Sequence, residues 1–164
     1  MESQIIIDIS TENDIEELSN TLIEAFEDDK ALYGEAPYGD DARKELKVEI
    51  DKNQCYTVKI DNTIIGGVYL FKVDDSKYRL KRLWINKNNQ NKGNGTRILR
   101  LIEDMIMDLK VLTLDTPYKS YRNQHFYEKN GFKKIGERRI EASQMKSLDP
   151  NFTLFEYMKN YDFV

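Results

Sequence analysis

Between Cys55 and Leu109 the apolar pattern changes period once, at a turn that holds Gly93 and Gly95. Before the turn, Cys55–Ile60, Thr63–Val73 and Lys77–Asn86 read as strands. Asp61-Asn62 and Asp74-Asp75-Ser76 are the turns that join them. After it, Ile98, Leu99, Ile102, Met105, Ile106 and Leu109 recur at helical spacing, with Arg97, Arg100, Glu103, Asp104 and Asp108 off the stripe. A strand run that hands over to an amphipathic helix needs a layered α/β arrangement, because each element has one face to bury. The alternation slips between Leu80 and Leu83, which predicts a β-bulge there.

The flanks complete the pattern. Gln4–Ile9 reads as a first strand, and Thr11 or Asn13 caps a helix carrying Ile15, Leu18, Leu22 and Phe26. Asp28–Gly39 holds Gly34, Pro37 and Gly39 and reads as a loop. Asp41–Asp51 reads as a helix with Ala42, Leu46 and Ile50 on one face. Val111–Thr116 is a short strand ended by Pro117, and Tyr121–Asn130 a short helix stopped by Gly131. Phe132–Ile140 and Asn151–Lys159 are the last strands, with a loop containing Pro150 between them. The expected order is β-α-α-β-β-β-α-β-α-β-β. With no repeat, low-complexity tract or Pro/Gly/Ser-rich linker, residues 1–164 read as one domain.

Composition narrows the chemistry. Cys55 and His125 are the only residues of their types. They exclude a disulfide framework and a zinc site of the usual ligand sets, so no metal is expected. Cys55 reads as a core residue and His125 as packing or surface. No apolar run nears the ~18 residues of a membrane span, and the N-terminus lacks the basic opening of a signal peptide. A cytoplasmic protein with no membrane partner is expected. Met1–Asp51 carries 16 acidic and 4 basic residues, whereas Ser76–Ile102 carries eight Lys or Arg and no acid. That basic stretch either attracts an anion or is matched by the acidic front half; charge alone leaves both readings open. An acidic whole, with pI near 5.2, and no basic-aromatic surface argue against nucleic acid.

Gln90-Asn91-Lys92-Gly93-Asn94-Gly95-Thr96 lies between a strand and a helix. Its glycines allow close backbone approach, and the helix start presents free N–H groups and a positive dipole end, so a diphosphate is the natural guest. The GxxxxGK[ST] loop is absent, and a GxGxxG fingerprint would need glycine where Ile98 stands.

Leu83-Trp84-Ile85, Gln90-x-x-Gly93-x-Gly95 and the helix after them resemble the acyl-CoA signature of the GNAT N-acetyltransferase superfamily. Phe126-Tyr127-Glu128-Lys129-Asn130-Gly131-Phe132 resembles its second signature, a helix ending in Y-x-x-x-G-F. The element order agrees over nearly the whole chain. The chain departs from the common pattern at Lys87, where many members carry Pro, and at Gln90, where many carry Arg.

The resemblance implies a mixed, mostly antiparallel central sheet flanked by helices, with the strands over Lys77–Asn86 and Val111–Thr116 splayed around a cofactor cleft. It implies acetyl-CoA as acyl donor. Backbone groups of Leu83 and Ile85 would hold the pantetheine arm, with Trp84 between them, and amides from Gln90 through Asn91, Lys92, Gly93, Asn94 and Gly95 to Thr96 the pyrophosphate. Asn123, Phe126 and Lys129 complete the cofactor set, Asn123 being favoured over Ser120 for the pantetheine. Tyr127 would protonate the leaving thiolate, since an ordinary phenol pKa of about 10 keeps it protonated at neutral pH. Tyr33 and Tyr38 would touch the acceptor. No general base stands out among Asp115, Glu35, Asp40 and Asp41.

The expected function is acetyl transfer to a primary amine of a small acceptor, cationic because the acceptor wall belongs to the acidic half. A silent acyl-CoA-sensing module and acetylation of a protein or peptide amine are the alternatives. A monomer or homodimer is expected.

Overall fold

The computed structural model describes residues 3–140 and 149–161. Its elements are β1 (Ile5–Ile9), a 3-10 turn (Glu12–Asp14), α1 (Ile15–Ala25), α2 (Glu27–Tyr33), α3 (Ala42–Asp51), β2 (Cys55–Ile60), β3 (Thr63–Asp74), β4 (Lys77–Ile85), α4 (Asn94–Met105), β5 (Val111–Pro117), α5 (Tyr121–Lys129), β6 (Lys133–Arg139) and β7 (Thr153–Asn160). The strands form one seven-stranded sheet in the order β1-β2-β3-β4-β5-β7-β6. Every pairing is antiparallel except β4 with β5. Most of the loop expected before Pro150 lies outside the described residues.

The parallel pair is the feature that makes a site. β4 and β5 are in register only from Lys77–Val111 to Arg79–Thr113. Beyond Arg79 they part. The predicted bulge sits at that point: Leu70 faces Leu80 and Tyr69 faces Arg82, leaving Lys81 extra. An inserted residue bends the strand and raises its twist, which turns β4 away from β5.

Two core clusters pack on the sheet. Ile98, Leu99 and Ile102 of α4 join Val58, Val68, Leu80, Leu112 and Phe132 in one. Leu18 and Leu22 of α1 and Leu46 and Ile50 of α3 join Cys55, Tyr69 and Trp84 in the other. Full burial of each aliphatic side chain contributes about 1.5–3 kcal/mol. Trp84 fits because Gly67 leaves it room: a Cβ on Gly67 would stand 2.4 Å from the indole. The Trp84 Nε1–H donates to Thr21 Oγ1 at 2.9 Å, so the buried indole has its partner.

Two expectations are corrected. Asp28–Gly39 is not all loop, since Glu27–Tyr33 forms α2 and only Gly34, in the left-handed region with φ 81°, ends it. Glycine and proline downstream masked a helix too short to show two full turns of periodicity. Helix α4 also ends at Met105, with Ile106 already extended. Leu109 is buried in the core from the connection to β5, not from the helix stripe.

Candidate active site

Past the point where β4 leaves β5, a cleft of about 640 Å³ opens beside β4 and the segment that follows β5. Leu83, Trp84 and Ile85 of β4 border it, followed by Gln90, Asn91, Gly93, Gly95 and Thr96 of the turn. Asn123, Phe126, Tyr127 and Lys129 of α5 border it as well. The fold therefore gathers most of the residues singled out in the sequence around one space. Lys92 is exposed and Asn94 buried, and neither lines the cleft.

The turn is shaped for an anion. Asn91 and Gly93 have positive φ, 61° and 78°, and Lys92 between them does not. Alternating handedness of this kind gathers successive N–H groups into a concavity. Among the described residues no protein acceptor takes the backbone N–H of any residue from Asn91 to Thr96. At a helix start these donors are orphans by geometry, so an anion there completes the helix. The side chains brace the turn instead. Gln90 Nε2 donates to Ile85 O at 2.7 Å, and Asn94 Nδ2 to Asn89 O at 3.0 Å. Arg122 of α5 reaches across, donating to Gln90 Oε1 at 3.2 Å and Asn91 Oδ1 at 2.6 Å.

The two glycines have different reasons. Nothing lies within 4 Å of a Cβ built on Gly93, so its backbone angle alone calls for glycine. A Cβ on Gly95 would stand 3.0 Å from the Phe126 ring. Gly95 thus lets α5 approach the start of α4, a packing role in addition to any approach of ligand.

Tyr127 is half-buried at the cleft, its ring edge-on to Phe126 and Phe132 with centroids 5.1 and 5.5 Å away. Its hydroxyl has no protein partner among the described residues. Burial pushes its pKa above the ordinary phenol value. The hydroxyl therefore keeps its proton at neutral pH. Asn123 has no side-chain partner either, whereas Ser120 Oγ is engaged by the Tyr33 hydroxyl at 2.8 Å.

Tyr33 and Tyr38 do not line this cleft. Tyr33 is buried, edge-on to Phe152 at 5.2 Å. Tyr38 borders a neighbouring hollow with Glu35, Asp40 and Asp41. Asp115 is held by Arg79 and Arg138, the latter at 3.0 Å, and is not available to the cleft as a base. Burial pushes the Cys55 thiol up to about 12, so it stays inert in the core. Four of the eight cations of the basic stretch are matched by acids: Arg79 by Asp115, Lys81 by Glu49, Arg82 by Glu45 and Lys87 by Glu27. The cations that border the cleft are instead Lys119, Arg122 and Lys129.

The sequence reading missed one wall. Ala25, Asp28, Asp29 and Leu32 border the cleft from the end of α1 and from α2. Their three- and four-residue spacing is that of one helix face and was the available signal. Burial, and then the charge of Asp28, raise the Asp29 carboxyl to about 6.

Residues 51–134 match the model of the acetyltransferase (GNAT) domain. The chain belongs to that family and is an acetyl-CoA-dependent N-acetyltransferase. No curated protein sequence matches it. Solved structures with a similar fold include the PaiA N-acetyltransferase of Thermoplasma acidophilum in complex with coenzyme A. That protein is 22% identical over 96% of this chain and 99% of its own, with a TM-score of 0.73. A GNAT family acetyltransferase of Elizabethkingia anophelis with acetyl-CoA bound is 18% identical over 96% and 98%, TM-score 0.70. The ribosomal-protein-S18-alanine N-acetyltransferase of Escherichia coli is 12% identical over 98% and 96%, TM-score 0.73. Among the described residues no helix is long and apolar enough to cross a membrane, and no cluster of His, Cys, Asp or Glu could hold a metal.

Proposed function

We propose that the protein transfers the acetyl group of acetyl-CoA to a primary amine of a small cationic acceptor, with the donor lying between β4 and β5. The observation that carries this reading is the uncommitted row of amides from Asn91 to Thr96, of which Asn91, Gly93, Gly95 and Thr96 border the same cleft as the partner-free Tyr127 hydroxyl. The amides suit the pyrophosphate, and Lys119, Arg122 and Lys129 suit the remaining phosphate charge. Leu83 and Ile85 offer strand-edge backbone to the pantetheine arm, and the free Asn123 side chain supports its assignment to that arm. Tyr127 then delivers a proton to the departing sulfur.

The cationic acceptor rests on Asp28 and Asp29, the acidic residues that border the cleft. Much of the acidic half is spent on ion pairs, Glu45 with Arg82 and Glu49 with Lys81 among them. The test has two arms. Acetyl-CoA should raise the melting temperature by mass action, and free CoA should appear when polyamines or aminoglycosides are supplied. No thermal shift at millimolar acetyl-CoA overturns the donor site. Equal turnover of neutral and cationic amines overturns the acceptor class.

A further inference from the structure

An amine acetyltransferase has to remove two protons from its acceptor. A lysine-like ammonium has a pKa of about 10.4 and no lone pair to attack with. One proton must leave before the nitrogen attacks and the second as the amide forms. The residues first suspected as bases are poorly placed. Asp115 is held by two arginines, and Glu35, Asp40 and Asp41 border a different hollow.

The α2 wall supplies two carboxylates, Asp28 and Asp29. Asp28 is exposed; Asp29 is the more buried of the pair. Among the described residues neither makes a salt bridge or a side-chain hydrogen bond, which sets them apart from Glu27 beside them, paired with Lys87 at 2.7 Å. Both border the cleft that Tyr127 borders. The other ionisable groups lining it, Lys119, Tyr121, Arg122, Tyr127 and Lys129, come from the β5–α5 connection and α5. The β4 segment and the turn contribute no charged side chain to the lining. A half-buried carboxylate without a cation is an unusual thing for a fold to keep, and a cationic guest would supply the missing partner.

Resting on the proposed acetyl transfer to a cationic amine, we propose that Asp29 is the catalytic base, receiving the first proton of the acceptor ammonium from the α2 wall of the cleft. The Asp29 carboxylate takes one proton from the ammonium and releases it to solvent. The neutral nitrogen attacks the thioester carbonyl carbon, forming the C–N bond. The C–S bond breaks, and the sulfur takes the Tyr127 phenolic proton. The second proton of the nitrogen returns to Tyr127, directly or through water. The sum is ammonium plus thioester giving amide, thiol and one proton. The carboxyl, raised to about 6, is a stronger base than an ordinary aspartate yet is ionised at neutral pH. Asp28, on the same helix, holds negative charge nearby and favours a dication over a monocation.

The test uses the intact protein with acetyl-CoA and a panel of 1,4-diaminobutane, spermidine and n-butylamine, following free CoA from pH 5 to 9. Wild type should show an acid limb with an apparent pKa near 6, which shifts if substrate occupies the cleft. Asp29→Asn should lose about 100-fold or more in kcat, the scale of a general base, and the acid limb with it. Asp29→Glu should recover part of both. Asp28→Asn should mainly raise KM for the diamine. Isothermal titration with acetyl-CoA should give the same Kd for wild type and Asp29→Asn, which also reports folding. An Asp29→Asn enzyme within about threefold of wild type in kcat, or with its acid limb intact, overturns the inference. So does a wild type that binds acetyl-CoA but turns over none of the panel. Failure to bind acetyl-CoA overturns the proposed function itself, a distinguishable result.

Discussion

The two walls of the cleft are built on opposite principles. The turn from Gln90 to Thr96 is braced through the side chains of Gln90, Asn91 and Asn94, by Ile85 O, Arg122 and Asn89 O; the Gln90 amide donates to Lys87 O, while the amides from Asn91 onward are left without acceptors. Its specificity is in the backbone. The α2 wall is the reverse: its backbone is satisfied as a helix ended by Gly34, whose N–H donates to Lys30 O at 2.9 Å. Its side chains, Asp28 and Asp29, are uncommitted. On the proposed function, the backbone wall takes the diphosphate that all acyl-CoA donors share. A side-chain site can be altered one residue at a time, which suits the half of the reaction that distinguishes acceptors.

This contrast can be broken by experiment. The largest effect is expected between the walls: Tyr127→Phe should slow turnover about 100- to 10,000-fold, the range of general acid catalysis, with the acetyl-CoA Kd unchanged by calorimetry. An unchanged rate would remove the phenol from the chemistry. Next, Gly95→Leu should destabilise the fold by about 1–3 kcal/mol in urea melts, because the added side chain must displace Phe126, and should weaken acetyl-CoA binding as α5 moves. A variant of wild-type stability would mean that α5 yields freely.

On the other wall, Asp29→Asn should stabilise the protein at pH 8 by about 1–2 kcal/mol, a figure reduced for partial solvent access. The sign follows from the raised carboxyl, about 6 against an ordinary 3.8. The folded chain holds the proton more tightly than the unfolded chain, so stability is full below the unfolded pKa and falls as pH rises through about 6. Asparagine removes that loss, and the two proteins should converge near pH 4. A constant difference across pH would point to packing instead of charge. The smallest effect belongs to the turn: Gly93→Ala should cost about 1 kcal/mol of strain at φ 78°, read as a few degrees in melting temperature, with weaker acetyl-CoA binding.

The legibility of the two walls differs for the same reason. Glycines 93 and 95, the strand before them and the stripe of α4 are local patterns, and a backbone site is made of local patterns. The slip between Leu80 and Leu83 likewise located the bulge that parts β4 from β5. Helix α2 is seven residues long, and its neighbours Gly34, Pro37 and Gly39 gave the stronger signal. Tyr33, expected at the acceptor, is instead a buried support for Ser120, because its partners Tyr118 and Phe152 are distant in the chain. For the eight cations of Ser76–Ile102 charge alone leaves anion attraction and internal pairing both open, and pairing with Glu45, Glu49, Glu27 and Asp115 spends four of them.

The sequence by itself determined the order of the strands and of every helix but α2, the glycine turn before α4 and the tyrosine on the helix that follows. Each of these depends on residues within a few positions of one another, through periodicity, backbone angle or helix-end geometry. Only the tertiary structure decided which charges remain unpaired and which side chains share a space. Those are properties of distance between elements far apart in the chain, and composition reports the sum of charges without saying where any of them is neutralised.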